Sequence, residues 1–283
     1  MQDGCRQFCA YCIIPYARGE LKSRPAAEVL SEVKQAVAGG IKEVVLCGIH
    51  LGQYGIDLKI QDTRYKKQIN LVSLLKAMIE ISGIERIRLS SIEVNEVTDE
   101  LIGLMKKERK LCRHLHIPLQ AGCDKILKSM NRPYTTKIFA AKINKIRQAL
   151  PEIAITTDVI VGFPGETEKD FLTTVELCKK MIFSQLHVFS YSAHERAPAA
   201  GFPGQLSEGI KADRSGRLQK LSTVLQAAYR KKFTGKKLSV IIDGRSREGH
   251  YRGKTEYHFD VEFKDSNRYR PGEMAQAENW QLL

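Results

Sequence analysis

The chain has 283 residues, of which 43% are hydrophobic and 27% charged, and it carries a formal net charge of +13. That length allows one large domain and a small one; no stretch reaches the roughly 18 apolar residues a membrane helix needs, and no signal-peptide pattern opens the chain. Seven cysteines, three of them clustered, argue against a disulfide scaffold and for a reducing, cytoplasmic compartment, and the positive excess, densest over residues 205–283, favours a polyanionic partner.

In chain order, Cys5, Cys9 and Cys12 come first, in a C-x3-C-x2-C spacing with Tyr11 just before the last. Thiolates are soft ligands for iron–sulfur clusters or zinc. A tetrahedral zinc site needs a fourth ligand, and no C-x2-C or H-x3-H pair follows. Three ligands with one open position suit a [4Fe–4S] cluster; the plainer alternative is three unrelated buried thiols. A helix is expected over 25–40, with Ser23 as its cap and Pro25 in its first turn. Then follow a buried strand over 43–48, a polar loop with Tyr54, Gly55 and the charged segment Lys59 to Lys67, helix 70–82 and strand 86–91. Helix 99–107, capped by Thr98, precedes strand 114–119, a short helix near 123–130, helix 135–149, strand 153–161, helix 166–181 and strand 185–191. Alternating helix and strand imply a parallel sheet with helices outside and chemistry at the C-terminal strand ends.

After Tyr191 the pattern breaks. A Pro/Gly/Ala-rich connection leads to a basic helix over 208–232, striped by Leu218, Leu221 and Leu225. From Lys237 the period is two, over 238–242 and 257–263, and Arg270-Pro271-Gly272-Glu273 reads as a turn before a closing strand. These short strands predict a small β-barrel. The expected domains are 1–204, a linking helix 205–232, and a β-module 233–283.

Several strand ends carry residues suited to a ligand. Gly48 and Gly52 flank His50 just past a strand, where glycine lets a ligand approach the backbone; His50 alone is as well read as a loop histidine. Ser91 and Glu93 share a face, and Glu93 is placed to accept from an amino group. His114, His116, Pro118 and Gln120 share another, and polar groups within a buried sheet need partners. Asp158 has the parity to point inward.

The string QDGCRQFCAYCIIPYARGELKSRP resembles the radical S-adenosylmethionine (SAM) enzymes, and within them the methylthiotransferases, most closely the type acting on threonylcarbamoyl-adenosine in tRNA. The blocks from His116 to Asp124, Met130-Asn131-Arg132, Thr157 to Thr167 and Tyr191-Ser192 extend the resemblance over nearly the whole chain. It implies a partial (β/α)6 barrel, here with its first strand largely missing, followed by a TRAM-like RNA-binding barrel. It implies that Cys5, Cys9 and Cys12 hold three irons of a [4Fe–4S] cluster whose fourth iron binds SAM. The cofactor residues it suggests are Tyr11, Gly48, His50, Ser91, Glu93, Gln120, Arg132, Asp158, Val161, Gly162 and Tyr191. Arg132 would pair a carboxylate or phosphate, and Val161 and Gly162 would give main-chain contacts to adenine. The implied reaction adds a methylthio group to C2 of N6-threonylcarbamoyladenosine through a deoxyadenosyl radical. The implied partners are the tRNA anticodon loop and a flavodoxin-type electron donor, with the chain a monomer and no membrane involved. Family members also carry an N-terminal domain with three more cysteines. Cys47, Cys112, Cys123 and Cys178 lack cluster spacing, so the expectation is a truncated form. A non-catalytic RNA-binding remnant and a radical SAM enzyme with another outcome on RNA are the alternatives.

Overall fold

The parallel sheet runs in chain order from strand to neighbouring strand. The computed structural model describes residues 1–58 and 69–282, so the predicted charged segment Lys59 to Lys67 lies outside the described residues. The helices are α1 (Ile14–Arg18), α2 (Ala26–Ala38), α3 (Leu71–Ile79), α4 (Asp99–Lys107), α5 (Asp124–Ser129), α6 (Thr136–Ala149), α7 (Glu168–Met181) and α8 (Glu208–Lys231). The two-residue strand β1 (Gln2–Asp3) pairs with β2 (Lys22–Ser23) and meets Gly48 in a parallel bridge. Beyond it β3 (Glu43–Leu46) pairs in parallel with β4 (Arg86–Leu89). Bridges Ile87–Leu111 and Ser91–His116 carry the sheet to β5 (His114–His116), then β6 (Ala154–Val161) and β7 (Gln185–Ser190). Among the described residues no helix is long and apolar enough to cross a membrane.

The sheet has two unlike faces because strand side chains alternate. Ile87, Leu89, Leu115, Ile155 and Val159 are buried with helix residues such as Val33, Leu75, Met78, Leu101, Phe139 and Phe171. The opposite parity is polar. Glu43 accepts from Arg86 Nη1 at 3.3 Å and Arg88 Nε at 2.8 Å. His114 Nε2 and His116 Nδ1 both meet Thr156 Oγ1, at 3.0 and 2.8 Å, and His116 Nε2 lies 3.1 Å from Asp158. Burying such groups is costly unless they are paired, and these contacts pair β3 with β4 and β5 with β6.

The tail forms β8 (Leu238–Arg245), β9 (Tyr251–Thr255), β10 (Asp260–Phe263), β11 (Met274–Ala277) and β12 (Gln281–Leu282), an antiparallel sheet in the order β11-β8-β9-β10-β12. Among the described residues β11 and β12 do not pair, so hydrogen bonding does not close the expected barrel. Its own core joins Val240, Ile242, Tyr251, Phe259 and Val261 to Tyr229 and Phe233 at the end of α8. The β9–β10 hairpin packs against the N-terminal ends of β4 and β5. Arg86 donates to the Lys254 carbonyl and Arg88 to the Thr255 carbonyl, at 3.1 and 3.0 Å, and the His114 and His258 rings stack 4.1 Å apart.

Three local expectations are corrected. Ser23 does not cap α2: it lies in β2, its hydroxyl accepts from Gly55 N–H, and Pro25 takes the cap position. Tyr54, expected in a polar loop, is fully buried within that connection, donating to the Arg24 carbonyl. The predicted strand 257–263 starts late, because Tyr257 and His258 form the hairpin turn, with His258 at φ 66°.

Candidate functional site

The cysteine loop is shaped by its backbone before any ligand is considered. Gly4 has φ 72°, and a Cβ there would lie 1.9 Å from the Glu20 carbonyl oxygen, so the position demands glycine. The Gln2 amide donates to the carbonyls of Asp3 and Gly4 and accepts from His50 N–H at 2.6 Å, clipping the loop to the end of β3. On the other side the turn after α5 holds it. Ala10 N–H donates to Met130, and the Asn131 amide donates to the Phe8 carbonyl, at 3.0 and 2.9 Å. Phe8 and Asn131 both adopt positive φ, 45° and 57°, a strain of the kind that surrounding structure must over-determine.

All three loop cysteines are free thiols, and each sulfur faces a nitrogen. Cys5 Sγ lies 3.4 Å from His50 Nδ1 and accepts from Gln7 N–H; Cys9 Sγ accepts from Arg132 Nη1 at 3.1 Å; Cys12 Sγ accepts from Ile14 N–H at 3.4 Å. Burial raises all three pKa values, but for Cys5 the contact with His50 and the Gln7 N–H outweigh it and bring the thiol below its usual value. Cys9 and Cys12 stay raised, against the pull of Arg132. Negative charge on Cys5 also raises Cys12, which marks their proximity. Burial lowers the His50 pKa, yet Cys5 and Glu96, 2.6 Å from Nε2, together lift it to about 10.

One turn after β4 supplies both carboxylates behind these contacts: Glu96 backs His50, and Glu93 pairs with Arg132. Arg132 also donates to the hydroxyls of Tyr134 and Tyr11, at 3.1 and 3.4 Å. The structure therefore joins Tyr11, His50, Glu93 and Arg132 to the cysteines. Gly48 is filled by the Gln2 side chain, whose Oε1 would sit 3.0 Å from an added Cβ, and Ser91 bridges to His116. Val161 is fully buried, its carbonyl accepting from Tyr191 N–H, while Gly162 N–H donates to Glu166 at 2.7 Å. These two main-chain groups are already engaged. Gly162 has φ 74° and lies against the Lys211 stem.

Tyr11, Gln120, Asp158, Ile160, Phe189 and Tyr191 line a cavity of about 250 Å³ between the cysteine loop and the ends of β6 and β7. Gln120 stands at φ 64°, and its buried Oε1 has no partner among the described residues. A buried acceptor left unpaired costs about 1–3 kcal/mol, so a ligand donor there recovers that loss. Sequence reasoning did not find Gln2, Glu96, Asn131 or Tyr134. Glu96 had a signal, its spacing of three from Glu93 beside a strand end; Gln2 and Asn131 stand inside the quoted motifs, but their contacts with His50 and Phe8 are long-range.

The radical SAM superfamily model matches residues 1–178. Threonylcarbamoyladenosine tRNA methylthiotransferase MtaB of Bacillus subtilis (strain 168) is 43% identical over 268 residues, covering 93% of this chain and 58% of that protein. A tRNA-2-methylthio-N(6)-dimethylallyladenosine synthase of Thermoanaerobacter sp. (strain X514) is 42% identical over 244 residues, covering 86% and 50%. The chain thus spans about half the length of the curated relatives it matches. Among solved structures, the radical SAM methyltransferase TsrM of Kitasatospora setae, with cobalamin and a [4Fe–4S] cluster bound, aligns at TM-score 0.56 and 16% identity over 70% of this chain and 37% of that one. Coproporphyrinogen III oxidase of Escherichia coli aligns at 0.54 and 12% identity over 93% and 65%. These two likenesses concern the fold, and the family match covers the cysteine loop and the elements from β1 through most of α7: the chain belongs to the radical SAM superfamily.

Proposed function

We propose that this chain is the catalytic part of a tRNA methylthiotransferase that modifies C2 of N6-threonylcarbamoyladenosine next to the anticodon. The cofactors of its superfamily are a [4Fe–4S] cluster and SAM. The residues fit both. Cys5, Cys9 and Cys12 offer three sulfur ligands backed by nitrogen donors, and Gln120, whose buried Oε1 has no partner among the described residues, lines the adjoining cavity. When bound, the pair supplies one-electron cleavage of SAM and abstraction of a hydrogen atom from an unreactive C–H.

The protein's part is to bind, orient and keep water out. Gln120 and Asp158 receive donors of the bound adenosine groups, while Ile160 and Phe189 provide an apolar wall for a ring. The antiparallel tail acts as a TRAM-like module for RNA phosphates, and a flavodoxin-type donor supplies the electron. The observation that carries this reading is the cavity between Tyr11 of the cysteine loop and the ends of β6 and β7; the likeness to MtaB over 93% of the chain points to its substrate. The test is mass analysis of nucleosides from tRNA incubated with the reconstituted, reduced protein and SAM. Release of 5′-deoxyadenosine from SAM is expected, with the methylthio derivative of threonylcarbamoyladenosine where a sulfur donor is supplied. No deoxyadenosine, or a different modified nucleoside, would refute the proposed chemistry or outcome.

A further inference from the structure

Arg132 is spoken for. Its side chain is 2% exposed, and its guanidinium donates through Nε to Tyr134, through Nη1 to Cys9 and Tyr11, and through Nη2 to Glu93. Four of the five N–H groups that arginine owns are therefore engaged. The Tyr134 hydroxyl is itself anchored on the carbonyls of Pro118 and Leu119, at 3.0 and 3.1 Å. Such a fork is fixed from three sides, and the Cys9 sulfur is the member of the set that the sequence places among the cluster ligands. Arginine keeps its charge at every accessible pH.

We propose that Arg132 is a positioning residue that donates to the Cys9 sulfur and raises the reduction potential of the bound cluster, with Glu93 holding the guanidinium and moderating its charge. This rests on the reading that Cys5, Cys9 and Cys12 hold that cluster. Reduction adds one electron from an external low-potential reductant and makes the cluster more negative. A hydrogen bond and a positive charge at a cluster sulfur stabilise the more negative state, and a buried setting strengthens the effect. Glu93 opposes it, since it brings negative charge to the same corner. The two members of the pair thus act with opposite signs, which a purely structural role would not produce.

The experiment is a redox titration of the anaerobically reconstituted protein, followed by the electron paramagnetic resonance of the reduced cluster, beside iron and sulfide analysis. At a fixed potential, Arg132→Met is expected to lower the ratio of reduced to oxidised cluster by about tenfold, 59 mV for a one-electron couple. Glu93→Gln is expected to raise that ratio, and Arg132→Lys to fall between wild type and Arg132→Met. Variants that carry full clusters and titrate together with the wild type overturn the proposal, as do Arg132 and Glu93 variants that shift the same way. Should Arg132→Met assemble no cluster, Arg132→Lys and Glu93→Gln decide the matter. Absence of iron and sulfide from the wild-type protein would instead refute the cluster reading itself.

Discussion

At the residue scale the three loop cysteines are not equivalent. Cys5 faces His50, which Glu96 backs, and its thiol is lowered; Cys9 and Cys12 are raised by burial. The thiolate is the reactive form, so the metal-free chain should alkylate at Cys5 ahead of Cys9 and Cys12. Because the Cys5 pKa lies lower, its rate should also hold up further as pH falls below 9, and His50→Asn should remove that lead. Peptide mapping after brief iodoacetamide treatment measures this. Equal labelling of the three, or Cys9 first, would contradict the assigned pairing of Cys5 with His50.

At the element scale α8 is the piece that ties the parallel sheet to the tail. Leu218 and Leu225 bury as their spacing predicts, and the Ser222 hydroxyl accepts from Leu186 N–H and donates to its carbonyl. Less visible in sequence is Arg214, nearly buried, with Nη1 2.7 Å from Glu166, which also accepts from Gly162 N–H. Removing one partner of a buried pair leaves the other charge uncompensated, at about 3–5 kcal/mol. Arg214→Met should therefore lower the unfolding free energy by about that much, and adding Glu166→Gln should recover part of it, as read by urea denaturation. Additive losses would contradict the coupling. The same contrast explains what sequence revealed and what it hid. Period and caps locate α4 at 99–107 with Thr98 as its cap, and β6 to within a residue of 153–161. Ser23 looked like a cap because the pairing of β2 with β1 is non-local, and 257–263 looked like one strand because the hairpin turn carries no glycine or proline. At the site, the spacing of Cys5, Cys9 and Cys12 on one loop was legible in the sequence. The binding of Arg132 to Cys9, 123 residues away, was not.

At the scale of the whole molecule, the two ends of the sheet have different uses. The β9–β10 hairpin packs against the N-terminal strand ends, through Arg86, Arg88 and the His114–His258 stack. Toward the other end, Phe189 remains 53% exposed and lines the cavity beside Tyr11. Arg86, Arg88, Arg132 and Arg214 are buried against Glu43, Glu93 and Glu166, so these pairs take little of the net +13 inside the fold. The proposed chemistry converges on the cysteine loop at the cavity mouth, and its most direct test is iron and sulfide analysis of the anaerobically reconstituted chain. Wild type should carry one [4Fe–4S] cluster, and the Cys5→Ala, Cys9→Ala, Cys12→Ala triple variant should carry none. Equal iron and sulfide in the two proteins would contradict the assignment of these cysteines.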